Sequence, residues 1–268
     1  MSETEASTGS RRRGRHLRTP LMVACALVAC ALFTMVLPPP VQAQSGGDGF
    51  LFRTPVVQIG LRAGLAVARA NSQIFDFTTD ELTLNRSDFN AFQVGGDVGF
   101  RVADQFDIVA SVTYASTSKQ SEFRDYLDQD DLPIEQRTTF TRTPLTLAGR
   151  FYLTPRGRQV GRFVWVPARV SPYVGAGGGM VHYSFRQVGS FVDFVDLSIF
   201  DTTFESGGWT PLGMIMAGVD YSLSPHVVLN LDGRYQFATA DLQRDFTDFN
   251  DGIDLSGLQL SFGVHFRL

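Results

Sequence analysis

Nine charged residues occupy the polar positions of segments that otherwise alternate apolar and polar: Arg62, Asp97, Arg101, Asp107, Arg150, Asp220, Asp232, Arg234 and Arg267. Arg and Asp facing one another out of water form ion pairs, and such pairs either line a solute path or fill it. A second pattern is an aromatic–acid rhythm, Phe191, Asp193, Phe194, Asp196 and again Phe246, Asp248, Phe249, Asp251. It suits a partner held by aromatic anchors or a divalent cation. The simpler reading, and the one adopted here, is strands that run on past a membrane with their acids in water. Asp248, Asn250 and Gly252 miss the twelve-residue calcium loop, whose glycine and closing glutamate are not in place, so no metal site is expected. Third, His182-Tyr183-Ser184 puts an imidazole and a hydroxyl on one strand face, the beginning of a hydrolytic site. Val181 and Tyr183 should take the apolar outside, turning His182 and Ser184 inward, and no nearby acid orients the histidine. No catalytic residue and no cofactor are therefore expected, and His226 and His265 read as turn and interior residues.

These side chains must be positioned by strands, because the recurring pattern has period two and no helical period stands out. Leu258, Leu260, Phe262, Val264, Phe266 and Leu268 share one face, with Gln259, Ser261, Gly263, His265 and Arg267 on the other. Comparable alternation runs through Val57–Val67, Phe92–Arg101, Asp107–Tyr114, Leu145–Leu153, Ile215–Ser222 and Val227–Phe237. The glycine-rich stretch Tyr173 to Ser184 is an eighth strand with less contrast between its faces.

The amino terminus sets the compartment. Arg11, Arg12, Arg13, Arg15 and Arg18 precede the apolar run Leu21 to Leu37, three prolines and Val41-Gln42-Ala43, the layout of a secretory signal cleaved near Ala43. Residues 1–43 are thus read as a signal peptide, 44–55 as a short linker and 56–268 as the folded unit. Leu27-Val28-Ala29-Cys30 also fits a lipoprotein signal modified at Cys30, and the run is near the length of an uncleaved anchor. The cysteines, Cys25 and Cys30, both lie in this segment, which leaves the exported part no disulfide or thiol chemistry. The net charge of −4 becomes −7 after cleavage, which argues against nucleic-acid binding.

Long connections alternate with short turns such as Ala103-Asp104-Gln105 and Ser224-Pro225, apart from Pro155 to Val170. That is the plan of an all-β, eight-stranded, antiparallel up-and-down transmembrane β-barrel with its termini on the periplasmic side. A soluble barrel with the same strands inverted is the competing reading. The Arg and Asp face crowded with Gly, Ser and Thr favours a narrow lumen. The four long loops carry nineteen acids and seven bases, an acidic outer surface. Arg156, Arg158, Arg162 and Arg169 cluster in the long periplasmic connection, where they suit phosphate headgroups.

Pro172-Tyr173-Val174-Gly175-Ala176-Gly177-Gly178-Gly179, Ala217-Gly218-Val219-Asp220-Tyr221 and Gly233-Arg234-Tyr235 resemble the internal strands of the small outer-membrane β-barrel superfamily, which includes OmpA-like, OmpX-like and OmpW-like proteins. The resemblance covers essentially all of 50–268. It implies a porin-like barrel in the outer membrane of a Gram-negative cell envelope, in contact with outer-membrane lipid and lipopolysaccharide. The closing strand, with Phe262, Val264, Phe266 and the final Leu268, resembles the signal read by the barrel assembly machinery. The peptidoglycan-binding domain that follows some relatives is not expected here. The functional expectation is a side-chain-plugged barrel acting structurally or in surface contact through its acidic loops, with an extracellular partner of unstated identity. A narrow channel for small or apolar solutes is the alternative. A lipid-modifying barrel enzyme, suggested by the similarity of His182 and Ser184 to outer-membrane lipid A deacylases, is more remote.

Overall fold

A computed structural model describes residues 49–268 except 129, 194–197 and 247–248. The expected signal peptide, with Cys25 and Cys30, lies outside the described residues. Eight strands close into an antiparallel barrel: β1 Val57–Ala68, β2 Ala91–Ala103, β3 Phe106–Leu127, β4 Pro133–Tyr152, β5 Val170–Val192, β6 Ile199–Ser222, β7 Val227–Phe237 and β8 Gly257–Arg267. Each strand pairs with its sequence neighbours, and β8 returns to β1 in a register running from Gln58↔Arg267 to Ala68↔Gly257.

The alternation in sequence becomes alternation in space, with the polar face inside. Leu61 is 74% exposed while the adjacent Arg62 is 5% exposed. A soluble barrel would bury the first and wet the second, so the inverted reading is excluded. Aromatic side chains ring both edges of the outer apolar band. Phe92, Tyr114, Trp209 and Phe237 lie toward the long-loop end, and Phe100, Phe106, Phe151 and Phe266 toward the short-turn end. Eight residues separate Phe92 from Phe100, which at about 3.3 Å per residue and a tilt near 40° spans roughly 20 Å, close to the band of a membrane barrel.

The long connections differ in kind. Residues 117–127 with 133–141, and 185–192 with 199–208, continue as paired strands, Thr117↔Phe140 to Glu122↔Glu135 and Phe185↔Ser206 to Val192↔Ile199, so two hairpins extend well beyond the band. The other two fold over the opening. Between β1 and β2 lies the helix α1, Gln73–Glu81, followed by a 3-10 turn at Arg86–Phe89. The period-two reading had no place for this helix. Nine residues are too few to show a helical repeat, and such a short helix is held by burial of Ile74, Phe75 and Thr78 rather than by propensity. The β7–β8 connection holds a 3-10 turn at Arg244–Phe246 rather than a strand continuation, and a two-residue pair, Thr239–Ala240 with Ile253–Asp254.

The inside–outside polarity yields a direct prediction. Leu231→Arg, in the middle of β7 on the outer face, is expected to cost about 2–4 kcal/mol of folding stability in lipid vesicles. Thr203→Arg, exposed on the hairpin beyond the band, is expected to stay within about 0.5 kcal/mol of the parent in the same urea titration.

Candidate functional site

The core of the lumen is an ionic cluster built from inward positions of β1, β2, β7 and β8. Arg62 lies 3.3 Å from Asp97 and 3.8 Å from Asp232, and donates to the Thr113 hydroxyl at 2.5 Å. Arg234 lies 3.5 Å from Asp97, pairs through Nε with Asp232, and donates to Ser111 at 3.1 Å. Two guanidinium groups thus share two carboxylates away from water, an arrangement in which each charge depends on the others. His265 places Nε2 3.4 Å from Asp97 and Nδ1 2.7 Å from the Gln58 amide nitrogen. Room for that ring comes from Gly60, which faces both His265 and Asp97 in register; a Cβ at Gly60 would run into the imidazole.

A chain of neutral donors joins this cluster to Asp220. Tyr152 donates to Asp220 at 2.9 Å, Asn230 donates to Asp220 at 2.7 Å and to the Tyr173 hydroxyl at 2.9 Å, and Tyr173 donates to Asp232 at 2.6 Å. Arg150 lies over the Tyr173 ring at 4.3 Å, a cation–π contact in place of the expected ion pair. Tyr152, Tyr173, Asn230 and His265 were missing from the expected network. All four stand on the inward alternation, so their polar tips were the available signal.

The nine expected charges do not form one network. Asp107 pairs with Arg156 at 2.6 Å near the short-turn end, and Arg156 also donates to the carbonyls of Ala103 and Asp104. Arg156 is therefore buried and unavailable to headgroups, which corrects that expectation, whereas Arg158, Arg162 and Arg169 stay exposed. Arg101 turns to Asp104 at 2.9 Å, and Arg267 donates to Ser222 at 3.0 Å. Both guanidinium groups flank Trp165, at 6.0 and 5.5 Å from its ring. Trp165 belongs to the hairpin Gly157–Val160 with Val164–Pro167, and reciprocal backbone bonds of 2.8 Å tie it to Leu51 across this end of the barrel. Beside it the lumen keeps a void of about 10 Å3, room for a single water.

Toward the long-loop end the interior turns apolar. Phe75 of α1 packs against Phe89, Phe140 and Phe185 at ring separations of 4.7, 5.5 and 6.0 Å, above Leu212, Met214 and Val181. Val181 and Tyr183 thus point inward and His182 and Ser184 outward, the reverse of the expectation; His182 meets Trp209 at 5.2 Å on the outer surface. The inward neighbours of Tyr183 on β5, Val181 and Phe185, belong to this apolar plug, so apolar character there marks the inside. His226 sits in the β6–β7 turn with its Nδ1 3.4 Å from the Arg267 carbonyl.

The aromatic–acid segments come together rather than standing as separate anchors. Phe191 and Phe246 are buried, and with Phe249 and Asp193 they border a cleft of about 430 Å3 above the apolar plug. Asp251 accepts the backbone N–H of Gln73 at 2.9 Å, a carboxylate at the start of α1, where the helix dipole favours it. Phe194, Asp196 and Asp248 lie outside the described residues. Phe262, Val264 and Phe266 stand on the outer face of β8, and Leu268, just past its end, is exposed. Among the described residues no group of three His, Cys, Asp or Glu is arranged to hold a metal ion.

The shared carboxylates predict non-additivity. Asp97→Ala, which leaves Arg62 and Arg234 short of a partner, is expected to cost about 3–5 kcal/mol in urea unfolding from lipid vesicles. The double variant Arg62→Ala with Asp97→Ala is expected to cost less than the sum of the single changes by about 1–3 kcal/mol; strict additivity would contradict the cluster.

A scan against protein-family models and a search of curated proteins both match nothing. Among solved structures the chain is similar to the outer membrane protein W of E. coli, at 20% identity and a TM-score of 0.39, covering 81% of this chain and 100% of that one. It is similar to a major outer membrane protein of Thermus thermophilus at 11% identity and 0.42, covering 81% and 100%, and to Neisserial surface protein A at 14% and 0.38, covering 82% and 98%. The assignment rests on the strand pairing and face polarity of the molecule itself. The closed ring, the apolar outer band and the charged interior make this chain an eight-stranded antiparallel transmembrane β-barrel of the outer-membrane type.

Proposed function

We propose that this protein is a closed outer-membrane barrel with a structural or surface-contact role exercised at its long-loop end. One observation carries the reading: the lumen is filled along its length, by Trp165 and its flanking arginines, then by the ionic cluster, then by the phenylalanine plug beneath α1. Eight strands leave an interior only wide enough for side chains, and here side chains occupy it. In this reading the short turns face the periplasm and the acidic connections face outward. The aromatic girdles meet lipid and lipopolysaccharide, and the outer face of β8 is what the assembly machinery reads. No catalytic residue is assigned.

Planar-bilayer recording tests the closure. The parent protein is expected to show no steady single-channel current. Removing the lumen pair by Arg62→Ala with Asp97→Ala is expected to leave it silent, because the apolar plug lies in series. Adding Phe140→Ala, Phe185→Ala and Trp165→Ala, which thins all three layers, is expected to produce discrete conductance. Steady current through the parent would overturn the reading in favour of a narrow channel.

A further inference from the structure

Four segments converge on the 430 Å3 cleft at the long-loop end: the two long hairpins, α1 and the turn Arg244–Phe246. Its size is that of a small-molecule site. The walls are aromatic. Phe191 and Phe204 meet edge to face at 4.6 Å, Phe204 lies 6.0 Å from Phe246, and Phe249 lies 5.7 Å from Phe77 of α1. Of the polar side chains among these rings, the two carboxylates carry negative charge, and Gln187 spends an amide N–H on the Thr138 hydroxyl. Asp245 and Asp193 border the cleft, and Asp245 Oδ2 accepts the Glu205 amide at 3.0 Å. Gln136, 3% exposed, also lines it, and its Oε1 is buried without a hydrogen-bond partner. Gly189 faces Gln136 across the β4–β5 pairing at φ +145°, and a Cβ there would run into the Glu135 carbonyl and the Gln136 backbone. None of the described residues lining the cleft is cationic.

Aromatic faces, carboxylates and an unpaired carbonyl oxygen share one preference, a positively charged group with N–H donors. The acidic loops around the cleft raise the local concentration of such ions. We propose that the cleft binds a small organic ammonium ion with a flat, apolar body. The body lies among the phenylalanines, and the ammonium group is held by Asp245 and the Gln136 carbonyl oxygen. The cleft lies directly above the phenylalanine plug, with Phe246 packed on Phe185 at 5.5 Å, and well away from the ionic cluster below.

The test is calorimetric titration of the protein in lipid nanodiscs, with empty nanodiscs subtracted. Three probes share one ring system: 2-(1-naphthyl)ethylammonium, 2-(1-naphthyl)ethanol and 3-(1-naphthyl)propionate. The ammonium ion is expected to bind about tenfold tighter than the alcohol, and the carboxylate weakest. Asp245→Asn keeps an acceptor for the Glu205 amide while removing the charge. It is expected to bring the ammonium ion to within about twofold of the alcohol. Gln136→Leu is expected to weaken the ammonium ion alone, and Phe204→Ala to weaken ammonium ion and alcohol alike. Heat-dependent gel migration shows that each variant keeps its barrel, and if one does not, the other two carry the comparison. Equal affinity for all three probes, no ammonium binding, or an unchanged preference in both Asp245→Asn and Gln136→Leu would overturn the proposal.

Discussion

In a hydrocarbon layer no water is available to a free backbone N–H or C=O, so a sheet can span it only if its edges disappear. Here that requirement rests on the pairing of β8 with β1, eleven residue pairs from Gln58↔Arg267 to Ala68↔Gly257. Once this seam is made, every inward side chain shares one small enclosed volume and every outward one faces lipid. The pleat then leaves no freedom: a slip of one residue on β1 or β7 would move Arg62 or Arg234 into the membrane and Leu61 or Leu231 into the lumen.

Closure at eight strands dictates how the interior is filled. The space admits side chains and little else, so the charges have to satisfy one another locally. Arg62, Asp97, Asp232 and Arg234 do so as a shared cluster of ion pairs, Tyr173 donates to the second oxygen of Asp232, and Tyr152 and Asn230 donate to Asp220. Buried pairs of this kind return little net stability against their desolvation, and removing one member strands the rest. Above them the filling is aromatic and aliphatic, and α1 lies across it as a lid. Backbone and side-chain bonds to Asp251, Asp254 and the Glu122 carbonyl hold the lid segment at both ends.

The alternation that makes a strand is visible residue by residue, which is why the eight strands, the short turns and the inward position of all nine charges were legible in the sequence. The partners of those charges were not. Arg156 looked like a loop residue because its role depends on a hairpin folding back over the end of the barrel, a long-range contact with no local signature. The β5 reversal at Val181 and Tyr183 has a similar origin. Polar-inside holds for the lower lumen and fails above it, and a glycine-rich strand offers no contrast by which to find the crossover. Phe191 and Phe246 share the same rhythm in sequence, yet one lies on a strand and the other in a 3-10 turn; only the folding of both loops over the opening brings them to one cleft.

The central claim, an apolar outside around a closed interior, is tested most directly by a nitroxide scan of β7 in lipid vesicles, one position at a time from Val227 to Phe237. Collision with oxygen dissolved in the lipid is compared with collision with a water-soluble nickel chelate. The account predicts period-two oxygen accessibility at 227, 229, 231, 233, 235 and 237, with neither reagent reaching the intervening positions. Nickel accessibility at 230, 232 and 234 would show a water-filled lumen, and oxygen accessibility there would show inverted faces; either result would contradict the account.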